Sequence, residues 1–390
     1  MKQHIETFWI FLRLGLIAFG GPVAHLAFFR REFVEQRRWL SDAGYAELVA
    51  LSQMLPGPAS SQTGFAIGLH RGGLPGGLAA WLGFTLPSAM IMIALGAGVL
   101  LLGDFATSGW LQGLKLAAAA IVAHALYGMA RQLCPDAKRA LIALTAALGA
   151  TWISGLGGQI SMIAMGAVAA LLFIQAPALE GHKAAPAAIS RRTGLIALVI
   201  FLIGLAVFSL NLPGLSPLWG VLYRSGALVF GGGHVVLPLL ESGLVAPGFV
   251  DGDRFLAGYG AAQAIPGPIF SFAGYLGAQA GLGSSLLSGL LATLMIFAPG
   301  MLLVVAVLPF WQTLSAYRPM RSALLGMNAA VVGLLAAVLW DPIITRGISG
   351  PVDGLIVLIA LAALAGLRIP PYWIVAGCAI AGQLAAMISG

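Results

Sequence analysis

The sequence predicts an all-α polytopic membrane protein. It is built from two homologous halves of inverted topology, with broken or re-entrant helices at Phe-Gly-Gly and Pro-Gly-Pro motifs. Three observations carry this. Hydrophobic residues make up 59% of the 390-residue chain and charged residues only 8%, far below the roughly 25% charge of soluble domains. Apolar runs at 74–102, 194–212 and 284–308 reach the ~18 residues that mark a membrane span. Helix-breaking segments recur in the same order, at nearly one spacing, in both halves.

The chain opens on MKQHIETFWIFLRLG. No small-residue cleavage site follows its apolar stretch, so the segment is expected to be retained structure. FGGP at 19–22 interrupts the first apolar segment and LPGP at 55–58 interrupts the second. Between them lies RREFVEQRR, residues 30–38, with four arginines. Two readings share the same parity. Either both interrupted segments cross the membrane, which leaves the arginines outside, or both dip in and return, which leaves them inside. The preference for basic loops on the cytoplasmic side favours the hairpins.

Four spans follow, near 74–102, 109–133, 138–154 and 158–176. The loop holding Arg131, Lys138 and Arg139 is expected inside, and base-free loops near 103–108 and 154–158 outside. Residues 176–194, APALEGHKAAPAAISRRTG, read as a linker rich in Ala, Pro and charge. An added span at 195–210 then delivers the second half from the opposite side. The expected organisation is a first repeat at 1–176, a cytoplasmic linker at 177–193, an extra helix at 194–210 and a second repeat at 211–390. The N-terminus falls inside and the C-terminus outside.

Duplication rests on several anchors in one order. RLGLIAFGG at 13–21 returns as RSGALVFGG at 224–232, and Gln53-x-x-Pro-Gly-Pro returns at Gln263. YAELVALSQ at 45–53 aligns with FLAGYGAAQ at 255–263, Pro87 with Pro299, and AAIVA at 119–123 with AAVVG at 329–333.

A backbone in hydrocarbon must satisfy its own hydrogen bonds, so a break is tolerated only against protein or a water-filled cavity. Pro56 and Pro58 lack N–H groups and bias the preceding residues away from helical angles. Gly57 removes bulk. A helix that restarts after such a break presents free N–H groups and the positive end of its dipole, which is an anion site. Ala59, Ser60, Ser61, Gln62 and Thr63 follow the first break, small or uncharged polar residues that can donate hydrogen bonds without adding negative charge. Pro266, Gly267 and Pro268 form the second break, followed by a less polar stretch that includes Ser271. Gly20 and Gly21, with Gly231 and Gly232, form the paired glycine breaks. Matched interruptions in two halves are the pattern of a transporter's binding site.

Arg13 and Arg224 stand at equivalent positions, six residues before each FGG triplet. A guanidinium offers a bidentate fork that matches an oxyanion; the competing role is to snorkel to the interface. Gln53 and Gln263 end the incoming helices and either orient an anion or cap the break. His25, His234, Glu241 and Lys115 are candidate coupling groups, each with a plainer hydrogen-bonding, ion-pairing or snorkelling alternative. Asp42, Asp251 and Asp253 are expected to cap the helices leading into the Pro-Gly-Pro motifs. Cys134 and Cys378 stand far apart without metal-ligand spacing, and no phosphate-binding loop, HExxH or Cys/His cluster occurs. No cofactor, metal or enzymatic chemistry is expected. The net charge of +7 lies in short loops between spans, which argues for a bilayer and against nucleic acid as its partner.

FGGP, RREF with WLS at 30–41, QMLPGP, FGGGH with LPLLE, and QAIPGP together resemble the chromate ion transporter family in its long two-domain form. The resemblance covers nearly the whole chain. It implies a bacterial or archaeal inner-membrane protein that exports chromate, driven by an ion gradient and not by ATP. Family members commonly carry Lys or Arg where Arg13 and Arg224 stand, and Tyr is frequent at the position of His234. Chromate and sulfate are similar tetrahedral dianions, so a sulfate-like substrate, uptake, or a passive oxyanion channel remain the alternatives. Abundant Gly and Ala are compatible with a homodimer, although no face is marked for it.

Overall fold

The computed structural model describes residues 2–101, 109–153, 155–176, 189–210, 216–230 and 233–389. Among them there is no β-strand. The first half contains α1 (Lys2–Ile17), α2 (Gly21–Arg30), α3 (Asp42–Met54), α4 (Ala59–Leu101), α5 (Gly109–Leu133), α6 (Ala137–Trp152) and α7 (Gly155–Phe173). The added helix is α8 (Arg191–Val207). The second half contains α9 (Pro217–Leu228), α10 (Val236–Leu240), α11 (Gly252–Ala262), α12 (Phe272–Gln279), α13 (Ser285–Val307) and α14 (Trp311–Ala316). It ends with α15 (Arg318–Val338), α16 (Thr345–Gly347), α17 (Pro351–Ala365) and α18 (Pro371–Ser389). Five helical stretches among the described residues are long and apolar enough to cross a membrane. Large apolar side chains such as Leu195, Val199 and Ile203 on α8, and Leu355, Leu358 and Ile359 on α17, face outward. That surface suits lipid as its solvent.

α4 is two helices. Gly72 and Gly73 leave helical angles, so residues 59–71 run one way and 74–101 turn back. Ion pairs then fix where each chain segment returns. Arg37, beyond α2, pairs with Glu6 near the start of α1, and Arg71, at the end of the first part of α4, approaches the same Glu6. Arg71 and Arg37 both lie over the Trp39 ring. Arg30 pairs with Asp42 at the start of α3. The ends of both interrupted segments of the first half therefore meet on one face, here called the near face.

Residues 74–101 rise about 40 Å from that face, and α5 begins on the opposite, far face. Lys115, two turns into α5, pairs with Asp253 at the start of α11 at 3.1 Å. The hairpin of α11 and α12 therefore opens on the far face, and the hydroxyl of Tyr275 on α12 donates back to the Arg254 carbonyl on α11 at 2.9 Å. α13 returns to the near face, where the Trp311 indole donates to Glu47 on α3 at 2.7 Å. The two halves are inverted.

The sequence halves are not separate lobes in space. α5 of the first half packs against α11, α17 and α18 of the second, while α15 of the second half packs against α6 and α7 of the first. Small residues allow the close approach. Gly113 lies on the Cys378 carbonyl, Gly326 on the Gly166 carbonyl and Gly333 on the Ala143 carbonyl. Overpacking typically costs about 1–3 kcal/mol, and here the obstacle is backbone. Gly333→Val is therefore expected to lower the melting temperature of the purified protein by several degrees. An unchanged melting curve would show that α6 and α15 do not pack this way.

The capping expectation needs one correction. Asp251 caps α11 by accepting from Arg254 N at 3.0 Å. α3 is capped by Ser41, which accepts from Gly44 N. Asp42 and Asp253 sit inside their first turns and carry ion pairs instead.

Candidate anion site at the four breaks

The four breaks converge. Gly57 N–H, in the first Pro-Gly-Pro, donates to the Val229 carbonyl at 2.7 Å. Gly267 N–H, in the second, donates to the Ala18 carbonyl at 3.0 Å. Ala18 and Val229 each immediately precede an FGG triplet. Each half's Pro-Gly-Pro thus bonds to the other half's glycine break, and the exchange is reciprocal. Both donors are glycines at positive φ, +126° for Gly57 and +98° for Gly267, a region that side chains avoid.

Each half-helix that restarts after a break is also pinned across the halves. Gln62 Nε2 donates to the Pro56 carbonyl at 2.8 Å and to the Gly300 carbonyl at 3.1 Å. Ser271 and Ser88 share a hydrogen bond of 2.6 Å. Ser88 and Gly300 follow Pro87 and Pro299, the matched prolines of the two long helices. Gln62 belongs to the donor-bearing stretch that follows the first break, whereas Ser88 did not stand out in the sequence. The signal was present in the residue after each matched proline and in the one amide after the first break.

Between the restarts lies a small cavity of about 10 Å³, lined by Pro22, His25, Pro58, Ala59, Ser60, Gly233, Pro268, Ile269 and Phe270. That is room for about one water. Gln62 N is the first amide of α4 to find an intrahelical acceptor, at the Pro58 carbonyl, so the amides of Ala59, Ser60 and Ser61 head the helix. His25 is buried against this wall. Its Nε2 lies 3.1 Å from the Ala18 carbonyl and its Nδ1 3.2 Å from Ser60 Oγ. The Phe84 ring meets its imidazole edge to face. A larger crevice of about 360 Å³ between α4, α8 and α13 is lined by Phe65, Trp81, Ile196, Met301 and similar residues, with no charged group. It offers an anion nothing.

The remaining candidates divide. Gly20 and Gly21 form the turn into α2. Ser61 is fully buried and its hydroxyl lacks a partner. Gly231 and Gly232 lie outside the described residues. Gln53 is exposed. Gln263 and Pro266 are half-buried, with the Gln263 side chain beside Tyr259. His234 Nδ1 lies 2.8 Å from the hydroxyl of Tyr259, a buried residue that sequence reasoning passed over. Lys115 is buried and paired with Asp253, far from the breaks. Glu241 is half-buried near the far face, within electrostatic reach of Arg346 and Asp341. Arg224 is half-buried on α9 with its Nε unpartnered.

The structure does not bring Arg13 to the cavity. α1 turns Thr7, Ile10, Phe11 and Leu14 inward, and at about 100° per residue position 13 falls on the exposed flank.

Inverted repeats with interrupted helices that meet in the interior define a membrane transport protein. The family described as chromate transporter matches residues 5–174 and 216–383. The chain belongs to the chromate transporter family. It is 28% identical over 385 residues to a probable chromate transport protein of Synechococcus elongatus, covering 96% of this chain and 93% of that one. It is 27% identical to a chromate transport protein of Pseudomonas aeruginosa, over 87% and 81% of the two chains. With a chromate transport protein of Cupriavidus metallidurans it shares 26% identity over 96% and 91%. No solved structure matches it.

Proposed function

We propose that this protein is a secondary active transporter that exports chromate, or a sulfate-like tetrahedral oxyanion, across the inner membrane under an ion gradient. The observation that carries this is the convergence of both half-helix restarts on one cavity, joined by reciprocal hydrogen bonds between the halves. Free amides, the Ser60 hydroxyl and two positive helix ends suit an oxyanion. The cavity is too small for one as it stands, so the breaks must separate for an anion to enter. A site closed to this degree favours alternating access over an open channel. Because α5 and α15 are exchanged between the halves, the moving unit is a bundle drawn from both.

Charge supports the orientation. The near face carries Arg30, Arg31, Arg37, Arg38, Arg71 and the loops of Arg131, Lys138 and Arg139 against Glu6, Glu32, Glu35, Asp42 and Glu47. The far face carries only Lys115, Arg254 and Arg346 among bases beside Asp251, Asp253, Asp341 and Asp353, so the basic excess lies on the near face among the described residues. The near face, with the N-terminus, is thus the cytoplasmic one. The hairpins enter the bilayer from both sides and return.

The test is flux in proteoliposomes with chromate and sulfate in competition, under separate pH and voltage gradients. Uphill movement of either anion supports a coupled carrier. Movement that only follows the anion's own gradient supports a channel, and no movement under any gradient defeats the reading. Arg224 supplies positive potential just before the second glycine break. Arg224→Gln is expected to raise the half-saturating anion concentration about tenfold, the equivalent of about 1.4 kcal/mol, with a smaller change for Arg13→Gln. Equal affinities for wild type and Arg224→Gln would remove this arginine from the site.

A further inference from the structure

We propose that His25 is the proton-carrying group of this site and that its protonation turns the Ser60 hydroxyl into an anion donor. The inference rests on the oxyanion-transport reading: a proton bound together with the anion moves the same way as the anion, so an inward proton gradient drives uptake, the alternative direction, and does not power export. A carbonyl oxygen only accepts, so Nε2 of His25 carries the ring proton and donates to Ala18. In the neutral ring Nδ1 is then the acceptor, and Ser60 must spend its one hydrogen on it. The Ser60 oxygen that lines the cavity thus presents lone pairs, which repel an anion. When Nδ1 takes a proton from water, it becomes the donor to Ser60 Oγ. The Ser60 hydrogen is released and turns toward the cavity, beside the free amides of the half-helix. One proton therefore adds a positive charge and a hydrogen-bond donor where an oxyanion would sit.

The position of His25 strengthens the link to movement. The Ala18 carbonyl that it holds is the same one that accepts from Gly267 N–H. The imidazole therefore touches the first glycine break, the first half-helix restart and, through Ala18, the second Pro-Gly-Pro. Val236 occupies the equivalent position in the second half, so only the first half is equipped in this way.

No competing charge faces the ring among the described residues. α3 presents Tyr45, whose hydroxyl is committed to the Leu26 carbonyl at 2.6 Å. α4 presents Ser60 and the Phe84 ring. α1 presents the Ala18 carbonyl, with Arg13 turned to the exposed flank. Beyond α2, the charges of Arg31–Gln36 are held at the near face, Glu32 by Arg37 and Glu35 by Arg30. The second half contributes Gly233, Pro268, Ile269 and Phe270 to the cavity.

The experiment is calorimetric titration of the purified full-length protein with sulfate, which carries no titratable proton near neutral pH, and with chromate. It is run in buffers of different ionisation enthalpy to count protons. Wild type is expected to take up about one proton per anion, with affinity rising up to about tenfold per unit fall in pH. His25→Gln is expected to bind without proton uptake and with a flat pH profile. His70→Gln, at the exposed near face, should keep the uptake. Ser60→Ala is expected to bind more weakly than wild type at acid pH. Anion binding by wild type without proton uptake overturns the inference alone, whether or not the variants fold. Uptake that survives in His25→Gln and disappears in His234→Gln also overturns it. If neither anion binds, the transport reading falls and this inference with it.

Discussion

Gly57→Ala is expected to reduce anion flux at least tenfold, and Gly267→Ala to do the same. At φ of +126° and +98° an alanine is strained by about 1–3 kcal/mol. A Cβ on Gly57 would stand 2.7 Å from Gln62 Nε2 and 3.1 Å from the Gly300 Cα. On Gly267 it would stand 2.9 Å from Ser88 Oγ. Relief at either position requires the break to move away from the opposite half. The Gly57 bond to Val229, or the Gly267 bond to Ala18, is then lost. The glycine N–H, and at Val229 also the carbonyl, is then left without a partner, which costs a further 1–3 kcal/mol or so when buried; the Ala18 carbonyl keeps His25. Since about 1.4 kcal/mol is a factor of ten, the two contributions together reach the expected effect. The measurement is initial flux in proteoliposomes, normalised to the folded fraction by size-exclusion chromatography. Gly98→Ala is the control, because a Cβ there meets nothing within 4 Å. Wild-type flux in Gly57→Ala would mean that the bonds between the breaks are not part of the transport cycle.

The second large effect is one of sidedness. In a background with Cys134 and Cys378 replaced by serine, Gln36→Cys and Ala246→Cys should react with an impermeant maleimide from opposite sides of the membrane. Gln36 is exposed beyond the first hairpin, on the near face, and Ala246 is exposed between α10 and α11, on the far face. Nearly complete labelling of one and almost none of the other is expected in intact cells, with the order reversed in inside-out vesicles. Labelling of both from the same side would end the inverted arrangement, and with it the meeting of the two Pro-Gly-Pro motifs as opposed half-helices.

Much of this was legible from the residues. The solvent of the chain, the duplication, the inversion and the breaks all come from hydropathy, charge placement and the backbone chemistry of Pro and Gly. These properties act residue by residue, or over one span. Of the residues singled out in the sequence, Pro58, Ala59, Ser60, Pro268 and His25 line the cavity between the breaks, and Gly57 and Gly267 carry the bonds across it. Arg13 lies on the exposed flank of α1, because equivalence between repeats says nothing about which flank of a helix a side chain occupies. Asp42 passed for a cap because Ser41, one residue earlier, competes for the same role and wins.

The amino-acid sequence by itself determined that this chain lives in lipid, that its halves oppose each other and that its helices stop at FGG and PGP. Only the tertiary structure decided that the ends of each interrupted segment lie together and that α5 and α15 change partners. It alone showed that each Pro-Gly-Pro bonds to the other half's glycine break. The reason is physical. A breaker states where a helix must end, but the acceptor for its freed N–H is chosen by packing between residues some 170 to 250 positions apart. No local pattern of side chains encodes that choice.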